Sequence, residues 1–308
     1  MILISEDVWG APFEQLSKRR AVHQDPELWN DAAKLKAEVA NAEVLVVRNR
    51  TQVTAEVIAA SPKLKVIARA GVGLDNIDIK AADKAGVVVV AGLGANAVSV
   101  AELTLGLALA LRRQIALQDR QTKSGKWLRT PGNEISGSTW GLLGCGATGR
   151  ATAKLLSGFG CKILGYDPFF KGNSEIQMVE WDQLISQSDV ISVHMPATSE
   201  TIGSINEQVF AAMKGSAILV NVGRGELINE SDLIKALKDS QIAGAALDVR
   251  ASEPPTTGEL ESLDNVILTP HVAGITKESQ AAINQILVDN IDLVLDGKTA
   301  THAVGANK

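Results

Sequence analysis

Three polar residues in the second half of the chain have side chains that could together exchange a proton and bind an anion. Arg224, Glu253 and His271 each come shortly after a short apolar run of the kind that forms a buried strand. A guanidinium can bind a carboxylate with two parallel hydrogen bonds, an imidazole can exchange a hydroxyl proton, and a carboxylate can orient that imidazole. These residue types suit the chemistry of a 2-hydroxy acid. The alternatives are a solvated turn arginine, an exposed acid and a packed loop histidine.

A glycine-rich motif at residues 144–149 reads G-x-G-x-x-G and stands between an apolar run and a helical pattern. Gly144 would make a tight turn, Gly146 would let N–H groups approach a pyrophosphate, and Gly149 would allow close helix packing. The next run ends at Asp167, 18 residues after Gly149, a spacing at which a carboxylate meets ribose hydroxyls. Asp167 would also repel a 2′-phosphate, so the motif predicts NAD rather than NADP. A plain turn, with Asp167 shaping its own loop, is the alternative.

The elements that must position these residues form an alternating series. Short runs rich in valine, isoleucine and leucine alternate with amphipathic stretches, which predicts parallel strands covered by helices on both faces, an α/β fold. The predicted strands are 2–5, 44–48, 65–70 and 87–91 in a first sheet, and 140–143, 161–166, 189–194, 217–222, 244–249 and 266–269 in a second. Predicted helices cover 26–40, 54–60, 98–117 and 277–295, and a polar loop covers 123–138.

The second set of strands has the content of a full dinucleotide-binding sheet, so residues 96–283 are predicted to form an NAD-binding Rossmann domain. The last helix is long enough to carry the chain back to the first sheet. Residues 1–95 and 284–308 are therefore predicted to form a discontinuous substrate-binding domain. Both domains are expected to be Rossmann-like or flavodoxin-like, doubly wound parallel sheets, with a cleft between them in which hydride transfer takes place.

Composition limits the classes of partner. The 308 residues carry a formal net charge of −5 and only 4% aromatic residues, so nucleic acid is not expected as a partner. The two cysteines, Cys145 and Cys161, make neither a disulfide framework nor a metal-ligand pattern, which favours a reducing compartment and predicts no metal site. No basic leader and no apolar stretch of about 18 residues is found, so a cytoplasmic protein without a membrane span is expected.

Further motifs, together with the three above, resemble one enzyme family. The segments are V-V-R-N-R-T at 46–51, R-A-G-V-G-L-D-N at 69–76 and N-A-V-S-V-A-E-L at 96–103. With them the chain resembles the D-isomer-specific 2-hydroxyacid dehydrogenases over nearly its whole length, and most closely the catalytic part of the D-3-phosphoglycerate dehydrogenases. The sequence carries no counterpart of the regulatory domain that many of those enzymes have, so serine feedback through such a domain is not expected.

The resemblance implies a role for each matching residue. It makes His271 the acid/base, Glu253 its partner and Arg224 the residue that binds the substrate carboxylate. The substrate-binding residues that it implies are Arg48, Arg50, Val72, Gly73 and Asn96, the third and fourth through backbone N–H groups. The cofactor-binding residues that it implies, with the glycines, are Ala147, Thr148, Asp167, His194, Thr201, Val222, Asp248 and Ala273. Solvated charges are the alternative for the two arginines, and a structural role is the alternative for His194.

Two departures from the family pattern leave the substrate open. Arg250 stands where an aromatic residue is usual, and residues 91–94 replace a proline-containing turn. The resemblance predicts an NAD-dependent dehydrogenase of an anionic acid such as 3-phosphoglycerate, with sulfolactate, glycerate and glyoxylate or hydroxypyruvate as alternatives. Glu253 argues against the formate dehydrogenases of the same fold. A corepressor-like NAD-sensing protein is an alternative of another class. The polar segment 118–138 with Trp127 is too long for a simple connection, and in this family it predicts a homodimer.

Overall fold

The computed structural model describes residues 1–307 and divides into two compact units. Its strands are β1 (Ile2–Ile4), β2 (Val22–Gln24), β3 (Val44–Val47), β4 (Val66–Arg69), β5 (Val88–Ala91), β6 (Thr139–Leu143), β7 (Lys162–Tyr166), β8 (Gln177–Met178), β9 (Val190–Val193), β10 (Ile218–Asn221), β11 (Gly244–Leu247), β12 (Val266–Leu268) and β13 (Ala303–Val304). Its helices are α1 (Ala11–Ser17), α2 (Ala32–Val39), α3 (Ala55–Ala59), α4 (Ile79–Ala85), α5 (Ala97–Arg112), α6 (Ile115–Lys123), α7 (Ala147–Leu156), α8 (Trp181–Gln187), α9 (Glu207–Ala212), α10 (Glu230–Lys238) and α11 (Lys277–Leu295).

The first unit is Met1–Asn96 together with the segment from Ile275 onward. Its sheet has the order β13-β5-β4-β3-β1-β2, in which β13 is antiparallel and the other strands are parallel. All four residues of β3 are buried, and alternate residues enter different cores. Val44 and Val46 pack in the cluster that includes α1 and α11, whereas Leu45 and Val47 pack in the cluster that includes α2 to α4. Helices therefore cover both faces, as the continuous apolar run predicts.

Helix α11 belongs to the first unit from its first turn. Thr276 and Ser279 form a capping box at its start. Its residues Ile283, Leu287 and Ile291, four positions apart, pack in the core of the first unit. The second boundary between the units accordingly falls between 274 and 275, before the helix, whereas the sequence prediction put it at 283/284.

The second unit, Ala97–Gly274, contains a sheet of parallel strands in the order β12-β11-β10-β9-β6-β7-β8. The direction of strand addition reverses between β6 and β9, and ligands of open α/β sheets bind beside such a point at the carboxyl ends of the strands. The glycine motif follows β6, and the loops after β7, β9, β10, β11 and β12 open at the same edge. The predicted α/β class with two doubly wound parallel sheets is confirmed.

Several predicted elements differ in their bounds. The helix predicted at 98–117 is two helices, because Gln114 takes a left-handed φ of 53° after the buried part of α5 ends. The stretch 26–40 is helical from Ala32, where the Asp31 side chain accepts a hydrogen bond from Lys34 N and caps the helix. The predictions gave no bounds for α1 and α4, and they omitted the short strands β2, β8 and β13. Among residues 1–307, no helix combines the length and apolar character needed to span a bilayer.

Candidate active site

The glycine-rich turn lies at the carboxyl end of β6, where the chain enters α7. Gly144 has a left-handed φ of 96°, which favours glycine. A Cβ at Gly149 would lie 2.2 Å from the Gly144 carbonyl oxygen, so this glycine lets the helix pack on the turn, whereas a Cβ at Gly146 would meet no atom within 4 Å. The open backbone at Gly146 leads into the first helical turn, where the N–H groups of residues such as Ala147 and Thr148 have no acceptor within the helix. Together they form a cradle suited to a phosphate group.

Asp167, which follows β7, joins the glycine turn to its own loop. Its Oδ2 accepts a hydrogen bond from Cys145 N at 2.8 Å, and its Oδ1 accepts from Phe169 N at 2.8 Å and Phe170 N at 3.1 Å. Burial alone would raise the pKa of Asp167, but these N–H groups and the charge of Arg150 hold it below its ordinary value. Asp167 is therefore an ionised carboxylate beside the turn, and Oδ2 keeps a lone pair for a ribose hydroxyl.

His194 packs behind the same turn as the end of a chain of hydrogen bonds. Trp140 Nε1 donates to Ser192 Oγ at 2.8 Å, and that oxygen lies 3.0 Å from His194 Nε2. Buried Ser192 Oγ has no acceptor other than Nε2 in the described part of the chain, so we assign the serine proton to that contact and the proton of His194 to Nδ1. Nδ1 is buried and has no partner among residues 1–307, and burial lowers the pKa of His194 to about 3. A neutral imidazole thus offers one unused donor at the turn.

Arg224 lies in the turn after β10, and buried Asn221 shapes this turn. Asn221 Nδ2 donates to the Arg224 carbonyl oxygen at 2.9 Å, and its Oδ1 accepts from Gly223 N at 3.0 Å. In the same turn, Val222 N donates to the Val193 carbonyl oxygen at 3.3 Å. The guanidinium of Arg224 is half-buried and donates to the Gly223 carbonyl oxygen at 2.9 Å. The backbone on which Arg224 stands is therefore fixed by the end of the strand.

His271 and Glu253 form a close pair at the same edge of the sheet. His271 Nδ1 lies 2.6 Å from Glu253 Oε2, and the histidine side chain is 51% exposed. Since the carboxylate is the acceptor, Nδ1 carries the proton, and Nε2 is the ring atom left for a reacting group. His271 also takes a left-handed φ of 55°, which is rare for a residue with a side chain.

Asp248, predicted to bind the cofactor, holds the loop of His271. It is buried after β11, and its Oδ1 accepts from Thr269 Oγ1 at 2.6 Å and from Val272 N at 2.9 Å, while Oδ2 accepts from Ala273 N at 2.8 Å. His271 N donates to the Asp248 carbonyl oxygen at 2.8 Å. Asp248 and Ala273 are therefore brought together with His271, and a single lone pair on Oδ2 remains for a ligand.

Thr201 uses its hydroxyl within its own loop. Its Oγ1 donates to the Pro196 carbonyl oxygen at 2.8 Å and accepts from Thr198 N at 2.8 Å. The hydroxyl proton is thus committed to the protein, and one acceptor lone pair is left. The structure shows a loop-closing role for a residue predicted to contact the cofactor.

In the first unit, the turn at residues 48–51 is built by two buried side chains. The carboxylate of Glu6 accepts backbone hydrogen bonds from Arg48 at 2.7 Å, Arg50 at 3.1 Å and Thr51 at 2.9 Å. Asn76 Nδ2 donates to the carbonyl oxygens of Arg48 at 3.1 Å and Thr51 at 2.7 Å. Sequence reasoning missed the role of Glu6, because an acid just after a buried strand has the same local pattern as many exposed acids and its partners lie more than 40 positions later.

The two arginines of this turn point to different surroundings. The Arg50 guanidinium stacks over the ring of Trp29, 4.7 Å from its centroid. Arg48 is half-buried and lines a pocket within the first unit, with no hydrogen bond or ion pair to its guanidinium among residues 1–307. The pocket is also lined by Asp7, Val8, Trp9, Ala70, Gln280 and Asn284. Only Arg48 is therefore placed to receive an anion there.

The turn after β4 carries Val72 and Gly73, predicted to hold the substrate carboxylate. Gly71 precedes them, and a Cβ there would collide with the guanidinium of Arg69, which lies across it. Gly92 N donates to the Gly71 carbonyl oxygen at 3.0 Å, which ties this turn to the loop that ends at Asn96. The side-chain oxygen of Asn96 is buried and has no partner in the described part of the chain. The guanidinium of Arg69 therefore lies beside the turn that is predicted to hold the substrate carboxylate.

The segment 105–273 matches the family model described as "D-isomer specific 2-hydroxyacid dehydrogenase, NAD binding domain". The chain belongs to the D-isomer-specific 2-hydroxyacid dehydrogenases. The resemblance carried by the motifs is confirmed, and the matched segment covers most of the second unit, with the glycine turn, the His271–Glu253 pair and Arg224.

Relatives within the family agree with this membership. The chain is 44% identical to the D-3-phosphoglycerate dehydrogenase of Archaeoglobus fulgidus over 87% of its own length, but spans only 52% of that relative. Among solved structures it is similar to the TT0316 protein from Thermus thermophilus, with a TM-score of 0.91 and 31% identity over 98% of this chain and 99% of the other. It is also similar to a glyoxylate/hydroxypyruvate reductase from Sinorhizobium meliloti, solved with NADP and malonate, with a TM-score of 0.89 and 27% identity over 99% and 97%.

Proposed function

We propose that this 2-hydroxyacid dehydrogenase oxidises an anionic D-2-hydroxy acid with NAD, 3-phosphoglycerate being the first candidate, or reduces the matching keto acid. The observation that carries the proposal is the 2.6 Å contact between His271 Nδ1 and Glu253 Oε2. This contact fixes the tautomer and leaves Nε2 free to exchange the hydroxyl proton of a substrate. The match to the family's NAD-binding domain supports the choice of cofactor.

Each residue of the pair has a defined task in the oxidation. Bound NAD would accept the hydride from C2 of the substrate. His271 Nε2 takes the hydroxyl proton, so the C–OH group becomes a carbonyl, and the Glu253 carboxylate stabilises the imidazolium that forms. Arg224 binds the substrate carboxylate, and its charge polarises the oxygen of the reacting carbon. In the reverse direction the protonated histidine returns its proton to that oxygen.

The residues around the glycine turn fit NAD. The open backbone at Gly146 and the start of α7 would hold the pyrophosphate, Asp167 would accept a ribose hydroxyl, and Nδ1 of His194 would donate to an acceptor of the cofactor. The remaining lone pair on Asp248 Oδ2 would accept a hydrogen bond from an N–H group of the bound cofactor. Thr201 and Val222 line the same edge through their loops.

The choice between the two nicotinamide cofactors has a direct test. Asp167→Ala removes an acceptor for the ribose hydroxyl and a negative charge that repels a 2′-phosphate. We expect weaker binding of NADH and a shift of the ratio of kcat/KM values toward NADPH, measured by absorbance with each cofactor. Asp182→Ala, on the exposed start of α8, is the control and is expected to leave the ratio unchanged. If the ratio for Asp167→Ala equals that of the wild-type protein, Asp167 only shapes its loop.

The substrate class is tested by a panel of acids. 3-Phosphoglycerate, sulfolactate, glycerate and lactate, with glyoxylate and hydroxypyruvate in the reverse direction, would be assayed by the absorbance of NADH. We expect the highest kcat/KM for 3-phosphoglycerate or sulfolactate, because the Arg48 guanidinium, which has no ion pair in the described part of the chain, suits a second anionic group. Protein that binds NADH but turns over none of these acids would favour the corepressor-like alternative.

A glyoxylate or hydroxypyruvate reductase is the second candidate. Asp7 lines the same pocket as Arg48, and a carboxylate there disfavours a doubly charged substrate. The similarity to the Sinorhizobium meliloti enzyme points the same way. In the panel, this candidate predicts that hydroxypyruvate and glyoxylate exceed every phosphorylated or sulfonated acid.

We also propose a homodimer and a cytoplasmic location. The segment after α5 carries three exposed apolar side chains, Ile115, Trp127 and Leu128, which a second copy would cover. Light scattering at micromolar concentration should give the mass of a dimer.

Cys145 and Cys161 are unbridged, which supports a reducing compartment. Burial and the nearby charge of Asp167 raise the pKa of Cys145 to about 12, so this thiol packs in the turn and is not a nucleophile.

A further inference from the structure

Arg250 is a charged residue whose side chain is almost enclosed, although it stands in a loop at the candidate active site. Its guanidinium side chain is only 11% exposed, and three of its hydrogen bonds go to carboxylates. We propose that Arg250 is a positioning residue for the His271–Glu253 pair, holding the backbone against which Glu253 and the turn of Arg224 rest. This inference rests on the proposed function, because it needs the pair to do the proton transfer.

Two carboxylates hold Arg250. Glu230, the first residue of α10, accepts from Nε and from the second terminal nitrogen, both at 2.9 Å, as a fork. Glu261, in the short helical turn Leu260–Ser262, accepts from the first terminal nitrogen at 2.7 Å. The same carboxylates hold backbone, since Glu230 accepts from Ala251 N at 3.0 Å and Glu261 accepts from Gly258 N at 2.8 Å. The cluster therefore fixes both ends of the loop that contains Glu253.

The position of the loop that contains Glu253 depends on the positive charge of Arg250, which lies between two carboxylates. Hydrogen bonds from Arg250 lower the pKa of Glu230 and of Glu261, and the negative charge of Glu261 acts on Glu230 in the opposite direction. Without Arg250, two half-buried carboxylates would face each other with no cation between them. Their repulsion would drive the loop away from its present course.

The backbone of Arg250 reaches both parts of the site. Arg250 N donates to Glu253 Oε1 at 3.0 Å, while the other oxygen of that carboxylate meets His271 Nδ1. On the opposite side, a Cβ at Gly225 would lie 2.0 Å from the Arg250 carbonyl carbon and 2.5 Å from Ala251 N. The residue that follows Arg224 thus packs directly on the peptide group that Arg250 and Glu230 hold. The two peptide groups on either side of the Arg250 Cα therefore support the two parts of the site: the first donates to the carboxylate of the pair, and the second packs against the turn of the anion-binding arginine.

An exposed ion pair in the same unit gives the matched control. Lys235 Nζ and Glu207 Oε1 lie 2.5 Å apart with side chains 58% and 59% exposed, and within residues 1–307 neither side chain forms a hydrogen bond or an ion pair with a residue of the site. Such a pair contributes little to stability. Lys235→Ala is expected to leave turnover and the pH profile unchanged.

The test is a double-mutant cycle of Arg250→Ala and Glu253→Gln, read by steady-state kinetics as a function of pH. Arg250→Ala should lower kcat by up to about 100-fold, the scale of a misplaced catalytic group. Its NADH dissociation constant should stay within about twofold of wild type, as for a residue that does not contact the cofactor. Its pH profile should move to lower pH, in the same direction as that of Glu253→Gln, because the displaced Glu253 carboxylate stabilises the protonated imidazole less. In the Glu253→Gln background, Arg250→Ala should cost clearly less than it costs in the wild-type protein, because only its support of the Arg224 turn is left to lose.

Milder variants keep the test decisive if Arg250→Ala does not fold. Arg250→Lys keeps the charge without the fork, and Glu261→Gln removes one carboxylate, so both should show smaller losses of kcat with the same direction of pH shift. The inference is wrong if the folded variants keep the wild-type pH profile, or if the losses of Arg250→Ala and Glu253→Gln multiply. If His271→Ala and Glu253→Gln are themselves silent, the proposed function fails, and the inference fails with it.

Discussion

Two loops, one in each unit, are held by the same device and present different chemistry. Glu6 after β1 accepts three backbone N–H groups of the turn at 48–51, and Asp248 after β11 accepts two backbone N–H groups of the loop that carries His271. The first loop presents Arg48, whose guanidinium has no hydrogen bond or ion pair within residues 1–307, whereas the second presents His271 already paired with Glu253. A free cation suits recognition of a charged substrate, and a paired imidazole suits proton transfer.

This difference between the two loops indicates where a substitution should affect the chemical step and where it should affect substrate binding. In the second loop the position of the imidazole is set three times, by Asp248, by Glu253 and by its backbone hydrogen bonds, so changes there should affect the chemical step. In the first loop only the backbone is fixed, and the side chain can be exchanged without altering the turn. We therefore expect changes in the His271 loop to lower kcat and changes in the Arg48 loop to raise KM for the substrate.

We expect the largest effect on activity when the imidazole of the second loop is removed. His271→Ala should lower kcat by roughly 10²–10⁴-fold, the scale of general acid–base catalysis, because no group is left to exchange the hydroxyl proton. Binding of NADH should survive, since the imidazole does not form the glycine turn. Steady-state rates and fluorescence titration with NADH measure both quantities. Near-normal turnover would remove His271 from the mechanism.

The next effect concerns the first loop. Arg48→Ala should raise KM for a doubly anionic acid by about 10- to 100-fold, the equivalent of a lost hydrogen bond to a charged group, and should leave kcat nearly unchanged. Arg50→Ala is the matched control, since its guanidinium stacks on Trp29, and we expect little change in KM. A short mono-anionic acid should be insensitive to both changes. Equal effects of the two substitutions would show that the arginines act together, as their shared sequence context predicts.

The last prediction concerns stability and tests the carboxylate that holds the first loop. Glu6→Gln places an amide donor against a backbone N–H group, so the free energy of unfolding should fall by about 1.5–3 kcal/mol. Its control is Glu43→Gln at an exposed ion pair with Lys65, for which we expect less than about 1 kcal/mol. Urea unfolding measures both. If Glu6→Gln is as stable as its control, the turn at 48–51 is held by Asn76 and packing instead.

The sequence predicts those parts of the fold that depend on local pattern. Continuous apolar runs such as β3 identify parallel strands, and the spacing of the glycines identifies the cofactor turn because both are properties of neighbouring residues. The split after Arg112 and the short elements α1 and β2 were missed, since a polar stretch of three residues or a three-residue strand carries little periodic signal.

Local sequence patterns could not predict which residues hold the site in place. Glu6 meets its donors 42 to 45 positions later, Arg250 meets Glu230 20 positions earlier, and Asp248 meets Ala273 25 positions later. Glu6 and Asp248 follow strand ends and Glu230 begins a helix, as many surface acids do, and only the tertiary fold brings their donors to them. Sequence therefore predicts which residues could react, while tertiary contacts decide which residues hold them.

The return of the chain in α11 has a consequence for synthesis on the ribosome. The core of the first unit includes Ile283, Leu287 and Ile291, and its sheet includes β13, so its early segment must wait for residues made after the second unit. At about 5–20 residues per second, the segment 97–274 takes roughly ten to forty seconds to emerge. During this interval the nascent first sheet exposes the face that α11 later covers. The second unit is continuous in sequence and can finish folding first, while the first segment of the chain keeps part of its apolar core exposed until α11 is made.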